Sequence, residues 1–435
     1  MHTRIFSLAR SRRFAVLREG RFRAFLIGNF ASDLGAGITT IALVFAVLDN
    51  TGSTNDLGLV LAARIVPMVL FLLGGGVLGD RFPRRYVMIY ADGVRASSQA
   101  ALAIAFLVGT PGLWLILVLA ALNGLGEAAF RPSFDGLAPL LVRPTLLADA
   151  NAMLGFSHSV GNVAGPALAG VLVIVLSPAT ILLLSAMGYV PSIVVLLFLR
   201  LDDSRFAFSS SLLGDLREGW RNFWSYRWLW TITIQFTLFN LLVWAPYLVL
   251  GPVSADRFYG GAGPWGLVVA TYGGGAALGG LLIMGRRPWR PLVVATVATF
   301  GWAAPSAALA LRAPLAAVCV AALVAGIVTA IFNALFMTTV QQHVPREALS
   351  RVMSYVSFGA YSIGPVGLAL AGPISNATSI SAVLAVGVAW QVVATSAVLA
   401  VPAVRHLRRI DHEPADEPSA LGATPAAKPH TDQRA

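Results

Sequence analysis

Apolar residues along this chain fall into runs of membrane length, each ended by charges, Gly/Pro clusters or polar turns. The runs cover 24–48, 56–79, 86–108, 112–133, 150–176, 178–200, 228–252, 264–285, 291–311, 314–338, 351–375 and 377–402. Each is close to the about 20 residues that a helix needs to cross a bilayer. The connections at Ser177-Pro178 and Asn376-Ala377 are so short that they predict tight external hairpins. Between the sixth and seventh runs the stretch 201–227 is polar and basic, and its Leu212, Leu213, Leu216, Trp220 and Phe223 recur at helical spacing. That pattern predicts an amphipathic helix on the membrane surface. The expected organisation is a basic cytoplasmic tail (1–23), a six-helix half (24–200), the linker (201–227), a second six-helix half (228–402) and a disordered cytoplasmic tail (403–435). The fold class is therefore an all-α membrane protein with twelve transmembrane helices.

The two halves repeat each other. LVRPTLLADANAMLGFSHSVGNVAGPALAGVL at 141–172 resembles HVPREALSRVMSYVSFGAYSIGPVGLALAGPI at 343–374, and GGVLGDRFPRRYVM at 75–88 has a faded counterpart in GGLLIMGRRPWRPL at 279–292. Duplicated, pseudo-symmetric six-helix halves are a transporter architecture, with the substrate expected between the halves near the bilayer midplane. Composition agrees: 57% of residues are hydrophobic and 12% charged, against about 25% charged in a soluble domain.

Charge supplies orientation. Of 31 Lys and Arg residues, Arg257 and Arg312 fall in external loops and Arg64 and Arg95 inside spans, when the N-terminus is placed in the cytoplasm. All the others flank cytoplasmic helix ends, which predicts cytoplasmic termini in a bacterial plasma membrane. The net charge of +11 then reads as a topology signal that also attracts anionic lipid, and nucleic-acid binding is not needed to explain it. The first 23 residues carry seven arginines and no continuous apolar core, so no cleavable signal peptide is expected. Cys319 is the one cysteine and Lys428 the one lysine, which excludes a disulfide framework, a Cys redox pair, a P-loop and a Schiff-base lysine. No HExxH, carboxylate dyad with a base or Ser-His-Asp arrangement stands out. The expectation is no enzyme, no organic cofactor and no metal.

Two motifs carry a family resemblance. Gly76-Val77-Leu78-Gly79-Asp80-Arg81-Phe82-Pro83-Arg84-Arg85 resembles the major facilitator signature G-x-L-a-D-R-x-G-R-[KR] between the second and third helices. Gly161-Asn162-Val163-Ala164-Gly165-Pro166-Ala167-Leu168-Ala169-Gly170 resembles the fifth-helix pattern G-x-x-x-G-P-x-x-G-G of that superfamily's proton-linked exporters. Arg64 with Pro67 before the first motif, and Asp92 and Arg95 after it, are similar to the branch of macrolide and siderophore exporters. The resemblance implies the major facilitator fold and proton-coupled efflux of a hydrophobic or amphipathic molecule, antibiotic- or siderophore-like, by a monomer using alternating access. An importer, a uniporter or a lipid transporter of the same fold stays open as the alternative, with a membrane-embedded enzyme a distant third. Three positions depart from the pattern. Pro83 stands for the usual glycine, Ala120 for the arginine of the exporters' fourth helix ahead of Asn123-Gly124, and Met284 for an acid in the second copy of the first motif.

Candidate site residues follow in four groups. Gly76, Asp80, Arg81, Arg84 and Arg85, with Asp92, Arg95, Glu127, Arg131 and Asp135 at similar depth, are read as a gating layer whose ion pairs hold the two halves together at the inner end and break on switching; simple topology-setting arginine is the alternative. Gly161, Gly165, Pro166 and Gly170 are read as a close-packing, kinked exporter motif. Asp33 falls near the midplane of the first span, where a carboxylate costs about 2.5–3.5 kcal/mol. Asp33 and Arg64, which could reach it from the second span, are read as the proton-coupling residues; an anchor for a cationic substrate and a purely structural Asp33–Arg64 pair are the alternatives, with no other acid expected at that depth. Asn29, Asn123, His158, Asn162, Gln235, Asn240, Trp244, Tyr247, Tyr272, Asn333 and Tyr361 are expected to line the substrate cavity.

Overall fold

A computed structural model describes residues 15–81, 83–137, 140–143, 146–199, 212–284, 286 and 288–409. Within those ranges the side chains of 15, 71–81, 132, 135, 136, 148, 152, 212–216, 218, 346, 347, 350 and 351 are outside the description, so Gly76, Asp80 and Arg81 are placed only as the last turns of a helix. Most of both tails and linker residues 200–211 lie outside the described residues as well.

The described chain is helical. Six membrane helices come first: α1 (Gly20–Thr51), α2 (Thr54–Arg81), α3 (Arg84–Val108), α4 (Leu113–Leu137), α5 (Leu147–Leu172) and α6 (Pro178–Phe198). A linker helix (Leu212–Ser225) follows, then α7 (Arg227–Phe258), α8 (Ala262–Ile283), α9 (Pro291–Ala310), α10 (Leu315–His343), α11 in two pieces (Arg346–Ser362 and Gly364–Ala377) and α12 (Ile380–Ala400). The helices overrun several apolar stretches: α1 starts at Gly20 and α10 continues to His343. Apolar length marks the hydrocarbon crossing, whereas backbone hydrogen bonding continues through the polar headgroup layer.

The helix pairs follow the sequence repeat. In the first half α1 packs on α5 and α6, α2 on α4, and α3 on α4 and α6. In the second half α7 packs on α11, α8 on α10, and α9 on α10 and α12. Each of α1–α5, α2–α4 and α3–α6 thus has its counterpart six helices on. The contacts between halves obey the same relation, because α2 meets α11 and α5 meets α8.

Small residues make these seams possible, as they must where lipid gives no hydrophobic drive to helix association. A side chain at Gly58 has no room beside the Leu368 carbonyl, and a Cβ on Gly170 would sit 3.0 Å from the Cα of Gly266. Asn376 donates to Asn55 Oδ1 at 3.1 Å beside the same α2–α11 contact. These contacts all lie at the bundle end remote from the linker, where α2 and α8 begin and α5 and α11 finish. The halves are sealed there, and the cavities described below lie beyond the seal toward the linker end.

The linker helix rests against α11. Trp220 meets Tyr355 edge-on at 5.5 Å, and Trp224 stacks on Trp230 at 5.4 Å.

Candidate functional site

The first half brings its charges to one place. A Cβ on Gly161 would approach that of Asp33 to 2.8 Å, and one on Gly165 would lie 2.7 Å from the Gly37 Cα. The α5 glycines therefore let the α1 and α5 backbones touch, as expected of that motif. One turn before Gly161, His158 reaches across to Asp33, with Nδ1 3.1 Å from Oδ1. Asn29 donates to the other carboxylate oxygen at 2.7 Å. On the far side of the imidazole, Arg131 Nη2 lies 3.2 Å and Asn162 Nδ2 3.0 Å from Nε2. A guanidinium can only donate, so Nε2 is the acceptor. Nδ1 then carries the hydrogen and donates it to Asp33. The imidazole thus bridges Asp33 on α1 to Arg131 on α4, with Arg131 and Asn162 both directed at its Nε2.

Asp33 does not pair with Arg64. Gly124 on α4 packs directly against the Arg64 carbonyl on α2, and this approach puts Arg64 Nη2 3.2 Å from Glu127 Oε2. The expectation that Asp33 is the only acid at that depth is also corrected. Glu127 lines a pocket of about 160 Å³ together with Asn29, Asp33, Arg95, Arg131, His158 and Asn162, and shares a larger central cavity with Arg64. A helix count along one chain does not show that α4 lies deep enough to bring Glu127 to the level of Asp33.

Asp92, Arg95 and Arg85 tie the first half to itself. Asp92 and Arg95 pair at 3.0 Å one turn apart on α3, both almost fully buried. The Arg95 guanidinium lies over the Tyr189 ring at 4.3 Å and the Phe130 ring at 5.3 Å. Arg85 donates to the carbonyls of Leu196 and Leu197 at 2.6 and 2.5 Å, fastening the start of α3 to the end of α6. The expected ion-pair layer between halves is thus not what Arg85, Asp92, Arg95, Glu127 and Arg131 form in this conformation. Their partners are within α1–α6, because the contacts between halves are concentrated at the opposite end.

The second half contributes rings and amides. Trp244 meets Tyr247 at 5.8 Å and Trp302 at 5.0 Å, Tyr272 meets Trp302 at 5.6 Å, and Tyr247 meets Trp265 at 5.4 Å. Trp244 closes a five-residue π segment, Asn240–Trp244, that interrupts α7; such segments recur at functional sites. With Arg64, Glu127 and Asn162 opposite, Trp244, Tyr247, Trp265 and Tyr272 enclose a cavity of about 390 Å³ between the halves. A second pocket of about 220 Å³ opens within α7–α12, lined by Gln235, Asn240, Trp302, Asn333, Tyr361 and Gln391 among others.

Of the residues expected to line a cavity, Asn123 alone lines none of these three. It is buried and donates to the Arg95 carbonyl at 3.3 Å and Gln99 Oε1 at 3.4 Å. Sequence reading missed Trp265, Trp302 and Gln391. Depth in the ninth and twelfth spans was the available signal for Trp302 and Gln391, whereas Trp265 stands at the start of the eighth; membrane helices place such residues in packing seams as often. Among the described residues no three His, Cys, Asp or Glu side chains gather as a metal site would require.

A chain of two repeated six-helix halves around a central cavity defines a membrane transporter of the major facilitator type. It belongs to the family described as transmembrane secretion effector, whose profile matches residues 11–426. It is similar to the multidrug efflux pump Tap of Mycobacterium tuberculosis, 28% identical over 426 residues, with 92% of this chain and 98% of the relative covered. It is also similar to macrolide efflux protein A of Streptococcus pyogenes, 25% identical over 268 residues, with 60% of this chain and 66% of the relative covered. Among solved structures, a bacterial homologue of the iron transporter ferroportin in an inward-facing state superposes with TM-score 0.70 at 16% identity, covering 87% of this chain and 98% of that one. The nucleoside transporter NupG superposes with TM-score 0.68 at 13% identity, covering 89% and 99%. These likenesses describe the fold.

Proposed function

We propose that this protein is a secondary active exporter that carries an amphipathic organic molecule out across the plasma membrane by alternating access, driven by inward proton movement. The observation that carries the proposal is the central cavity, which joins an aromatic wall on the second half to an ionisable cluster on the first. A mostly apolar cavity with a few converging polar groups suits a large amphipathic ligand. Relatives named for multidrug and macrolide efflux support the outward direction. With both termini cytoplasmic, the sealed end is external and the conformation faces inward.

Asp33 and His158 are the proton site. Their contact at 3.1 Å, with Arg131 and Asn162 on the far side of the ring, is what supports this reading. A new proton makes either the carboxyl acid or the imidazolium. The second choice displaces Arg131 and Asn162 from Nε2, so loading is felt on α4 and α5, the helices that flank the central cavity. Gly76, Asp80, Arg81 and Arg84 are assigned to gating at the cytoplasmic end, and the protein works as a monomer with lipid around it.

The test uses everted vesicles with a proton-sensitive dye and a panel of antibiotics and siderophores. Substrate addition should release protons from the vesicle lumen in the wild type and not in Asp33→Asn. Uphill transport by purified Asp33→Asn in liposomes under an imposed pH gradient would refute the coupling role. Orientation is checked on a Cys319→Ala background with an impermeant thiol reagent. Ser53→Cys should label from outside the cell, and labelling of Ser210→Cys in intact cells would reverse the topology.

A further inference from the structure

The pocket within the second half has its own chemistry. Gln391 on α12 is 1% exposed and lines it. Its Nε2 donates to the Thr299 carbonyl at 2.9 Å and to Thr395 Oγ1 at 3.1 Å. A backbone carbonyl accepts only, so this amide cannot be turned the other way round. Oε1 is then the atom left over, and it is buried without a hydrogen-bond partner. Leaving a buried acceptor unmet is costly, and such atoms call for an explanation. Two neighbouring amides share the wall. Gln235 gives its Nε2 to Thr395 at 3.3 Å and Asn240 gives its Nδ2 to the Phe236 carbonyl at 3.0 Å. Each of these two amides uses one N–H on the protein and keeps its second N–H and its oxygen, whereas Gln391 spends both N–H groups and has only the unmet Oε1 to offer. Trp302 supplies a flat face, held by Phe239 at 5.0 Å and Trp244 at 5.0 Å.

We propose that this pocket is a subsite for an uncharged, hydroxyl-bearing ring, such as a sugar or polyol substituent, carried by an amphipathic substrate whose apolar body fills the central cavity. The unmet Gln391 oxygen calls for a group that donates, the other amides of the wall can donate or accept as a hydroxyl does, and the Trp302 face takes the C–H side of such a ring. An ammonium also donates, but every ionisable acid lining the described cavities is on the first half: Asp33 and Glu127. A cation in this pocket would be desolvated with no counter-charge beside it, which is costly. Tyr272 and Trp244 border both cavities, so one molecule can occupy the two together. The inference rests on reading the chain as a transporter of amphipathic molecules and names the substrate class of that site.

The test is equilibrium binding by calorimetry to the purified protein in lipid nanodiscs, with no gradient imposed. Esculin, a planar coumarin glucoside, is compared with its aglycone esculetin and with ethidium as a planar cation. Esculin should bind about tenfold more tightly than esculetin, the worth of one well-made buried hydrogen bond. Gln391→Met should remove that preference and leave esculetin and ethidium unchanged. Should Gln391→Met fail to fold, Asn333→Leu, at an exposed position on the pocket wall, should narrow the same preference. Equal binding of glucoside and aglycone by the wild type, or no binding of either, overturns the proposal. So does a loss of ethidium binding in Gln391→Met as large as the loss of esculin binding. Because no proton gradient enters the measurement, a failure of export in vesicles leaves this result readable by itself.

Discussion

Arg64 and Tyr272 occupy the same place in the two halves of this transporter. Gly124 on α4 packs against the carbonyl of Arg64 on α2, and Gly326 on α10 packs against the carbonyl of Tyr272 on α8. Three residues beyond each glycine stands the side chain's partner, Glu127 at 3.2 Å in the first half and the hydroxyl of Thr329 in the second. The backbone solution is shared and the chemistry is not. The first half answers with an ion pair, the second with a hydrogen-bonded phenol beside Trp302. The same contrast holds more widely. Asp33, Asp92, Arg95, Glu127, Arg131 and His158 crowd α1–α5, while rings and amides from α7–α12 line the other side of the cavity. Duplication supplied two equal frames, after which one came to hold charge and the other to hold flat, uncharged surface.

If the frames are equivalent, breaking either should be equally damaging. Gly124→Leu and Gly326→Leu each push a branched side chain into backbone, and both should abolish folded protein, read as loss of the monodisperse peak in size-exclusion chromatography. A large difference between the two would end the claim of equivalence. The division of labour predicts a strong but different effect for Asp33→Asn, with uphill transport down by more than about tenfold and substrate binding kept. Trp302→Ala should do the converse. Substrate affinity should drop about tenfold, in the range found for stacked aromatic contacts, while the number of protons moved per substrate is unchanged.

Glu127→Gln leaves Arg64 in the cavity without its counter-charge, and stability should fall by about 1–3 kcal/mol, less than for a fully buried pair because both side chains keep some water contact. Removing both charges in Arg64→Leu with Glu127→Leu should recover most of the thermal stability without recovering transport. The smallest effect is expected at Arg143–Glu19, a pair at 3.1 Å whose arginine is 74% exposed. Arg143→Ala should shift stability by less than about 0.5 kcal/mol, which would show that charge matters in the first half where the cavity is, and not on its surface.

The one-dimensional pattern of this chain determined a good deal. Twelve apolar runs require twelve helices because unpaired backbone cannot sit in hydrocarbon, and the Gly-rich segments at 75–88 and 161–170 marked where helices turn or touch. The glycines of α5 did meet α1 and α8. Most of the polar residues read as cavity-lining, from Asn29 to Tyr361, do line one, since an amide or phenol in lipid must face protein or water. Partner choice was not legible. Asp33 is 125 residues from His158 in the chain and Arg64 is 63 from Glu127, and a side chain's depth in its own helix says nothing of the rotation and tilt of the helix opposite. Arg64 was close enough in depth to suggest itself for Asp33, but the Gly124 contact turns α4 and its Glu127 toward α2 instead. Trp244 and Tyr272 were expected at the cavity, but their union with Trp302 in one wall was not legible, because the three rings come from three helices and become one surface only when α7, α8 and α9 are packed. Composition and periodicity decide that a residue is in the membrane; only packing decides what it touches there.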